Sequence, residues 1–240
     1  MTTIKDVLNA TNPLLFLNEN ENFPYSYGGS CYPVKWKDQL YIVSAFHCFE
    51  SLLIKPENTL YPIPHTNKDF FGFTNIFRAT CTAANDQKHS DQVLLQVCKS
   101  SVSKNQFDAV PALDLSNDNF VCSLTDSSVN QVFLRGYLNQ NEFHEIDYES
   151  CVIRSQAYFT YGLISVRKSV SDYCINVKVQ SPTPNGLSPT GMSGSAVYVT
   201  RNNNQLSLAG TVIEYNSLTS EYLIIDSSVI VNFLRQIHTT

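Results

Sequence analysis

The apolar residues of this chain are broken into short runs, and that punctuation restricts the fold more than any other feature. Between Ser30 and about Leu115, runs holding aromatic or β-branched residues (32–34, 40–43, 70–73, 76–80 and 93–97) alternate with Pro, Asn, Asp and Gly. Runs of this length make strands, and the breaks make turns. A second series follows at 131–137, 150–154, 158–166, 175–179, 195–200 and 208–215. The pattern predicts an all-β protein with helix only at its ends. Ile4, Val7 and Leu8 have helical spacing before the break at Asn12-Pro13, which predicts a short helix leading into the apolar segment 14–17. That helix is expected to pack on the body, the other reading being a docking element. Residues 18–27 read as a loop, as does the Pro-rich stretch 60–65, which is barred from a central strand. Residues 116–119 read as a linker and 201–205 as a hairpin turn. Ser227 is placed as the N-cap of a last helix carrying Val229, Phe233, Leu234 and Ile237 on one face.

Composition narrows the class. Hydrophobic residues make up 43% and charged residues 15% of the 240, enough apolar material for a globular core and too little charge for broad disorder. A net charge of −5 with no Lys/Arg run argues against a nucleic-acid partner. No apolar stretch nears the roughly 20 residues that span a bilayer. The segment 1–8 lacks the charged and apolar regions of a secretion signal, so a cytoplasmic location is expected. Seven cysteines with no C-x-x-C pair point to reduced, buried thiols. No metal and no cofactor is expected.

The chemistry starts at residues 190–197, Thr-Gly-Met-Ser-Gly-Ser-Ala-Val. Gly191 and Gly194 frame Ser193 and permit a sharp turn. The amides of Gly191 and Ser193 can then converge on one point as an oxyanion hole. Alone, the motif also fits a hairpin turn with a solvated serine. Upstream, Ser-Ala-Phe-His-Cys (44–48) closes an apolar run with His47, a general base at neutral pH. Asp91 then opens the strand-like segment 91–97, with Val93, Leu95 and Val97 on its own side. The other histidines, His65, His89, His144 and His238, sit in loops, turns or the tail. Asp86 and Asp108 lack the strand that follows Asp91.

The order His47, Asp91, Ser193, each in its local setting, resembles the chymotrypsin-like (trypsin-fold) serine peptidases. The likeness covers about residues 28–238, and the Gly-Met-Ser-Gly-Ser motif is nearest to the bacterial trypsin-like and glutamyl-endopeptidase branch. It implies two six-stranded antiparallel barrels: residues 28–116 with His47 and Asp91, and 117–226 with Ser193. Residues 1–27 precede them and a C-terminal helix, 227–240, follows. It implies that Ser193 attacks, His47 takes its proton and Asp91 holds the imidazole. A specificity pocket is implied between Leu187, Ser188 and Thr190 on one side and Ile213, Glu214, Tyr215 and Asn216 on the other. Glu214 reads either as a pocket charge, which gives a preference for Lys or Arg before the scissile bond, or, one register away, as a solvated residue. Family members carry a disulfide at positions matching Cys31 and Cys48, expected here as neighbouring free thiols. Met192 replaces the aspartate that binds a cleaved N-terminus in digestive relatives, so activation by such cleavage is not expected. Phe46 is bulkier than the usual alanine. The function implied is a serine endopeptidase acting on protein or peptide substrates, narrow in specificity or controlled by a regulatory partner. The alternatives are a catalytically silent binding module of the same fold, or an esterase with the same triad.

Overall fold

A computed structural model of the chain describes residues 4–22, 24–50, 55–63, 69–79, 87–129, 131–139, 144–147, 152–164, 171–180, 187–200 and 205–239. Helix α1 (Ile4–Asn9) leads into β1 (Asn12–Leu17), so the apolar segment after the Asn-Pro break is a strand. The long β2 (Tyr25–Trp36) takes up the last residues of the expected loop and turns tightly into β3 (Gln39–Ser44). There follow α2 (His47–Glu50), β4 (Thr59–Pro62), β5 (Phe70–Phe71), β6 (Phe73–Arg78), β7 (Val93–Val97), α3 (Lys104–Ala109) and β8 (Leu113–Asp114). The ladder runs β5-β4-β1-β2-β3-β7-β6, with β8 parallel to β2.

Two of these elements differ from expectation. The Pro-rich stretch contributes β4, which is tolerated because Pro62 is the last residue of the strand and only Tyr61 and Pro62 pair with β5. Helix α3 has no strong apolar period and is set by a capping box, with Ser103 and Gln106 exchanging side-chain and backbone bonds.

The second half forms β9 (Gln131–Tyr137), a separate hairpin of β10 (His144–Asp147) and β11 (Val152–Ser155), then β12 (Ala157–Ile164), β13 (Cys174–Val179), β14 (Ala196–Thr200), β15 (Leu206–Asn216), β16 (Glu221–Asp226) and α4 (Ser227–Thr239). Strands β12-β13-β16-β15-β14-β9 close into one six-stranded antiparallel barrel. The first sheet does not close. Its edge strands, β5 and β6, are consecutive pieces of chain on either side of Gly72, whose carbonyl accepts the Cys98 N–H at 2.9 Å. One bent segment thus supplies both edges, and no ladder joins them.

Both faces of the first sheet are buried. Leu40, Ile42, Val93 and Leu95 face its own interior with Leu14, Phe16 and Phe71. Tyr32, Val34, Trp36, Tyr41, Val43 and Leu94 face the other way, onto Ala196, Tyr198 and Leu208 of the barrel. Strands buried on both sides read as continuous apolar runs, as 40–43 and 93–95 do. The same cluster takes Ile230, Val231 and Leu234 of α4 and Val7 of α1, so both terminal helices seal the seam. Among the described residues no helix is long and apolar enough to cross a membrane.

The last helix starts one residue earlier than expected, and Ser227 lies inside it. Its cap is Asp226, whose Oδ1 accepts the Ser228 N–H at 2.8 Å. The other oxygen accepts Leu124 N–H at 2.7 Å and Ser123 Oγ at 2.9 Å, tying the crossover between the halves to the helix. Ser227 instead donates to Cys122 O at 2.9 Å. Asp226 is buried, so its loss leaves several donors without a partner. Asp226→Ala is expected to lower stability by about 3 kcal/mol, measured by urea denaturation. A loss below about 0.5 kcal/mol would mean that water replaces those bonds.

Candidate active site

Strands β3 and β7 are antiparallel neighbours, with Ser44 opposite Val93. The chain leaving β3 and the chain entering β7 therefore meet at one end of the sheet. There His47 begins α2, where a helix has free N–H groups. Asp91 supplies the acceptor twice. Its Oδ1 takes the His47 backbone N–H at 2.8 Å and its Oδ2 takes Nδ1 at 2.7 Å. The Asp91 carbonyl also accepts the Phe46 N–H at 3.4 Å. One carboxylate thus fixes both the position of His47 and, when the ring is neutral, its tautomer, with the proton on Nδ1 and Nε2 free to accept one. The ring remains open, with 41% of the His47 side chain exposed against 19% for Asp91. The bulk of Phe46 is accommodated beside the site, with the Arg78 guanidinium 3.6 Å above its ring.

The Asp91 hydrogen bond, helped by the neighbouring Cys48 thiol, raises the His47 pKa from the ordinary 6.5 to about 10, with burial acting against them. Asp108, the rival carboxylate, lies exposed on α3. Asp86 and His65 lie outside the described residues. His238 is on α4, accepting or donating to Tyr41 OH at 2.9 Å and stacked on Trp36.

Ser193 is carried by a tight turn that enters β14. Gly191 and Gly194 have φ of 99° and 85°, the left-handed region that side chains resist. Met192 N–H donates to Pro189 O at 3.1 Å and Ser195 N–H to Met192 O at 2.9 Å. Gly194 N–H and Ser195 O bracket Val212 on β15, at 2.8 and 3.0 Å. Next to Val212 the ladder with β16 slips, leaving a bulge at Ile213. The freed Ile213 carbonyl accepts the Ser193 hydroxyl at 3.4 Å. Cys48, the residue after His47, lies against the Ser193 carbonyl with its sulfur 4.0 Å away. The structure therefore sets the Ser193 turn against Cys48, the residue after the Asp91-held His47, while the serine hydroxyl rests on Ile213 O rather than on the imidazole. Such contacts are commonly loose before substrate binds.

The expected pocket residues divide. Leu187 and Tyr215 pack on the barrel core. Ser188 and Thr190 are exposed, their hydroxyls 2.6 Å apart. Ile213 contributes its carbonyl, while its side chain is buried in the first sheet's core with Cys31 and Cys48. Asn216 is a turn former, accepting the Leu218 and Thr219 N–H groups. The bulge at Ile213 turns Glu214 outward, where it pairs with Lys88 of the short turn before β7, half exposed on both sides. Glu214 is not a free pocket charge, since its carboxylate pairs with Lys88, and this departs from the placement that would give a preference for Lys or Arg. Cys31 and Cys48 are both buried free thiols. Sequence reading missed Gln92, buried beside Asp91, whose amide donates to Thr211 on the barrel at 2.6 Å. A polar residue at the head of an apolar run was the signal. Among the described residues no group of three or more His, Cys, Asp or Glu side chains is placed to hold a metal ion. No protein-family model matches the chain, and no curated protein matches it.

Because the folded pKa of His47 is raised, the protonated His47–Asp91 pair stabilises the fold fully below pH 6.5 and loses that effect as the pH rises through about 10. An NMR titration of the His47 ring should give a midpoint well above 6.5, and Asp91→Asn should bring it down. An unmoved midpoint in Asp91→Asn would break the link between the carboxylate and the imidazole.

Proposed function

We propose that this chain is a chymotrypsin-like serine endopeptidase in which the first sheet and the barrel stand for the family's two barrels. The observation that carries the reading is the double hold of Asp91 on His47, beside a glycine-framed serine delivered by the other half of the molecule. In the reaction Ser193 Oγ bonds to the carbonyl carbon of the substrate while its proton passes to His47 Nε2. Negative charge on the former carbonyl oxygen is met by the amides of Gly191 and Ser193. Asp91 stabilises the imidazolium that forms. Collapse of the tetrahedral species breaks the C–N bond, and the His47 proton leaves with the amine. Water then adds to the acyl carbon, giving a proton to His47; collapse breaks the C–Oγ bond, His47 returns that proton to Ser193 Oγ, and the acid leaves.

The arrangement also bears on substrate choice. With Glu214 held by Lys88, the side chain before the scissile bond meets Thr190 and Tyr215, which favours a polar or small aromatic residue over a basic one. The natural substrate is a protein segment, and restricted recognition fits an enzyme that works among other proteins.

A fluorophosphonate probe should label the native protein at Ser193, and Ser193→Ala or His47→Ala should abolish labelling with the fold intact. Asp91→Asn should lower turnover by about 10⁴-fold, since the wrong tautomer then dominates. Asp108→Asn should leave it unchanged. Only neutral His47 accepts the proton, so kcat/KM should climb with pH and reach half its maximum on the alkaline side of 6.5. Absence of labelling would identify a binding module. Labelling with ester hydrolysis but no cleavage of a peptide library would identify an esterase.

A further inference from the structure

An oxyanion hole works only if its donors are aimed before charge develops. Three consecutive peptide planes decide that aim here. The Thr190 carbonyl accepts the Asn139 N–H at 2.6 Å, and the Met192 carbonyl accepts the Ser195 N–H at 2.9 Å. A trans peptide points its N–H opposite to its C=O, so these two bonds turn the Gly191 and Ser193 amides the other way. Among the described residues neither amide has an acceptor.

The middle plane, between Gly191 and Met192, links the two and is held from the first sheet. Ser30 Oγ donates to the Gly191 carbonyl at 2.8 Å, and Tyr27 OH lies 3.3 Å from the same oxygen and 3.0 Å from Tyr137 O. Ser30 Oγ also accepts the Tyr137 N–H at 2.8 Å, which commits its single proton to Gly191. Every other polar group of Ser30 is engaged too. Its N–H donates to Ser193 O at 2.8 Å and its carbonyl accepts Ser44 Oγ at 2.8 Å. Ser30 is fully buried, so water does not substitute for these bonds.

We propose that Ser30 is the positioning residue for the oxyanion turn: its hydroxyl holds the Gly191 carbonyl and so aims the Gly191 and Ser193 amides, with Tyr27, whose single proton is shared between Tyr137 O and Gly191 O, in support. The inference rests on the acyl-transfer reading of Ser193. It makes the turn a consequence of docking the first sheet on the barrel. No cleaved chain end and no buried ion pair is needed to shape it.

The test uses the full chain with p-nitrophenyl acetate and a fluorophosphonate. Ser30→Ala should lower kcat and the rate of fluorophosphonate inactivation together by about 10- to 100-fold, below the full loss of a hole donor, with KM changed less than about 2-fold. Tyr27→Phe should lower both by a smaller factor, and Ser30→Thr, which keeps the hydroxyl, should recover part of the loss. The His47 titration midpoint should stay where it is in all three, which separates loss of aim from general damage to the site. Should Ser30→Ala not fold, Tyr27→Phe decides, because it removes one hydroxyl and leaves Ser30 in place. Folded variants with native kcat and inactivation rate would overturn the positioning role while leaving the nucleophile intact. A native protein that neither labels nor hydrolyses the ester would overturn the acyl-transfer reading itself.

Discussion

The barrel's serine turn is wedged against a strand that is not part of the barrel. A side chain at Gly194 would meet the Ser30 carbonyl at 2.0 Å and Ser44 Oγ at 2.5 Å, so the two backbones touch with nothing between them. The Ser30 N–H to Ser193 O bond lies at this contact. Neither half can shift against the other without opening it, and His47 and Ser193 come from opposite halves. The chemistry proposed for these residues therefore depends on a backbone contact made outside the reacting atoms.

Apolar burial gives that docking its strength but not its register. The seam of Tyr32, Trp36, Leu94, Tyr198, Leu208 and Leu234 is adhesive in every direction, at roughly 25 cal/mol per Å² removed from water. Direction comes from a few buried polar bonds. Tyr32 OH and the Gln92 amide both meet Thr211 Oγ1, at 2.7 and 2.6 Å, and Tyr137 OH reaches Thr11 O at 3.0 Å. Left unpaired, each such group costs more than its bond returns, so a sliding seam is penalised. Gln92 follows Asp91 directly, so the bond that registers the halves also fixes the carboxylate behind His47.

Strands such as β3, β7 and β9 were legible because each is an apolar run bounded by turns, whereas β1, β4 and β10 were not, and the residues proposed as the site also sit in local settings of their own, a histidine after a strand and a serine between glycines. What was not legible depends on partners distant in sequence. Glu214 could face either way until the ladder placed a bulge at Ile213, and a bulge is a property of two strands. Asp226 and Ser227 are both good caps. Asp226 wins because its second oxygen serves Leu124 and Ser123, while Ser227 is drawn to Cys122. The first sheet has the strands for a barrel, yet whether β5 and β6 close is set by the bend at Gly72, which no periodicity announces. Ser30 reads as one more small residue after two glycines, and its bond to the Gly191 carbonyl exists only in the fold.

The choice of neutral groups around the serine turn has a physical reason. Met192 is buried in the barrel core beside Val197 and Val212, and its sulfur accepts Ser195 Oγ at 3.7 Å. A carboxylate there would need a cation buried with it, since desolvating one charge costs several kcal/mol that only a well-placed partner offsets. A thioether needs none. With the underside of the turn held by packing, its carbonyl edge is left to hydroxyls, and burial keeps Tyr27 protonated far above neutral pH. The His47–Asp91 pair lies instead at the rim, where solvent reaches it. The turn beneath takes its shape from hydroxyls, backbone groups and a thioether rather than from a buried charge.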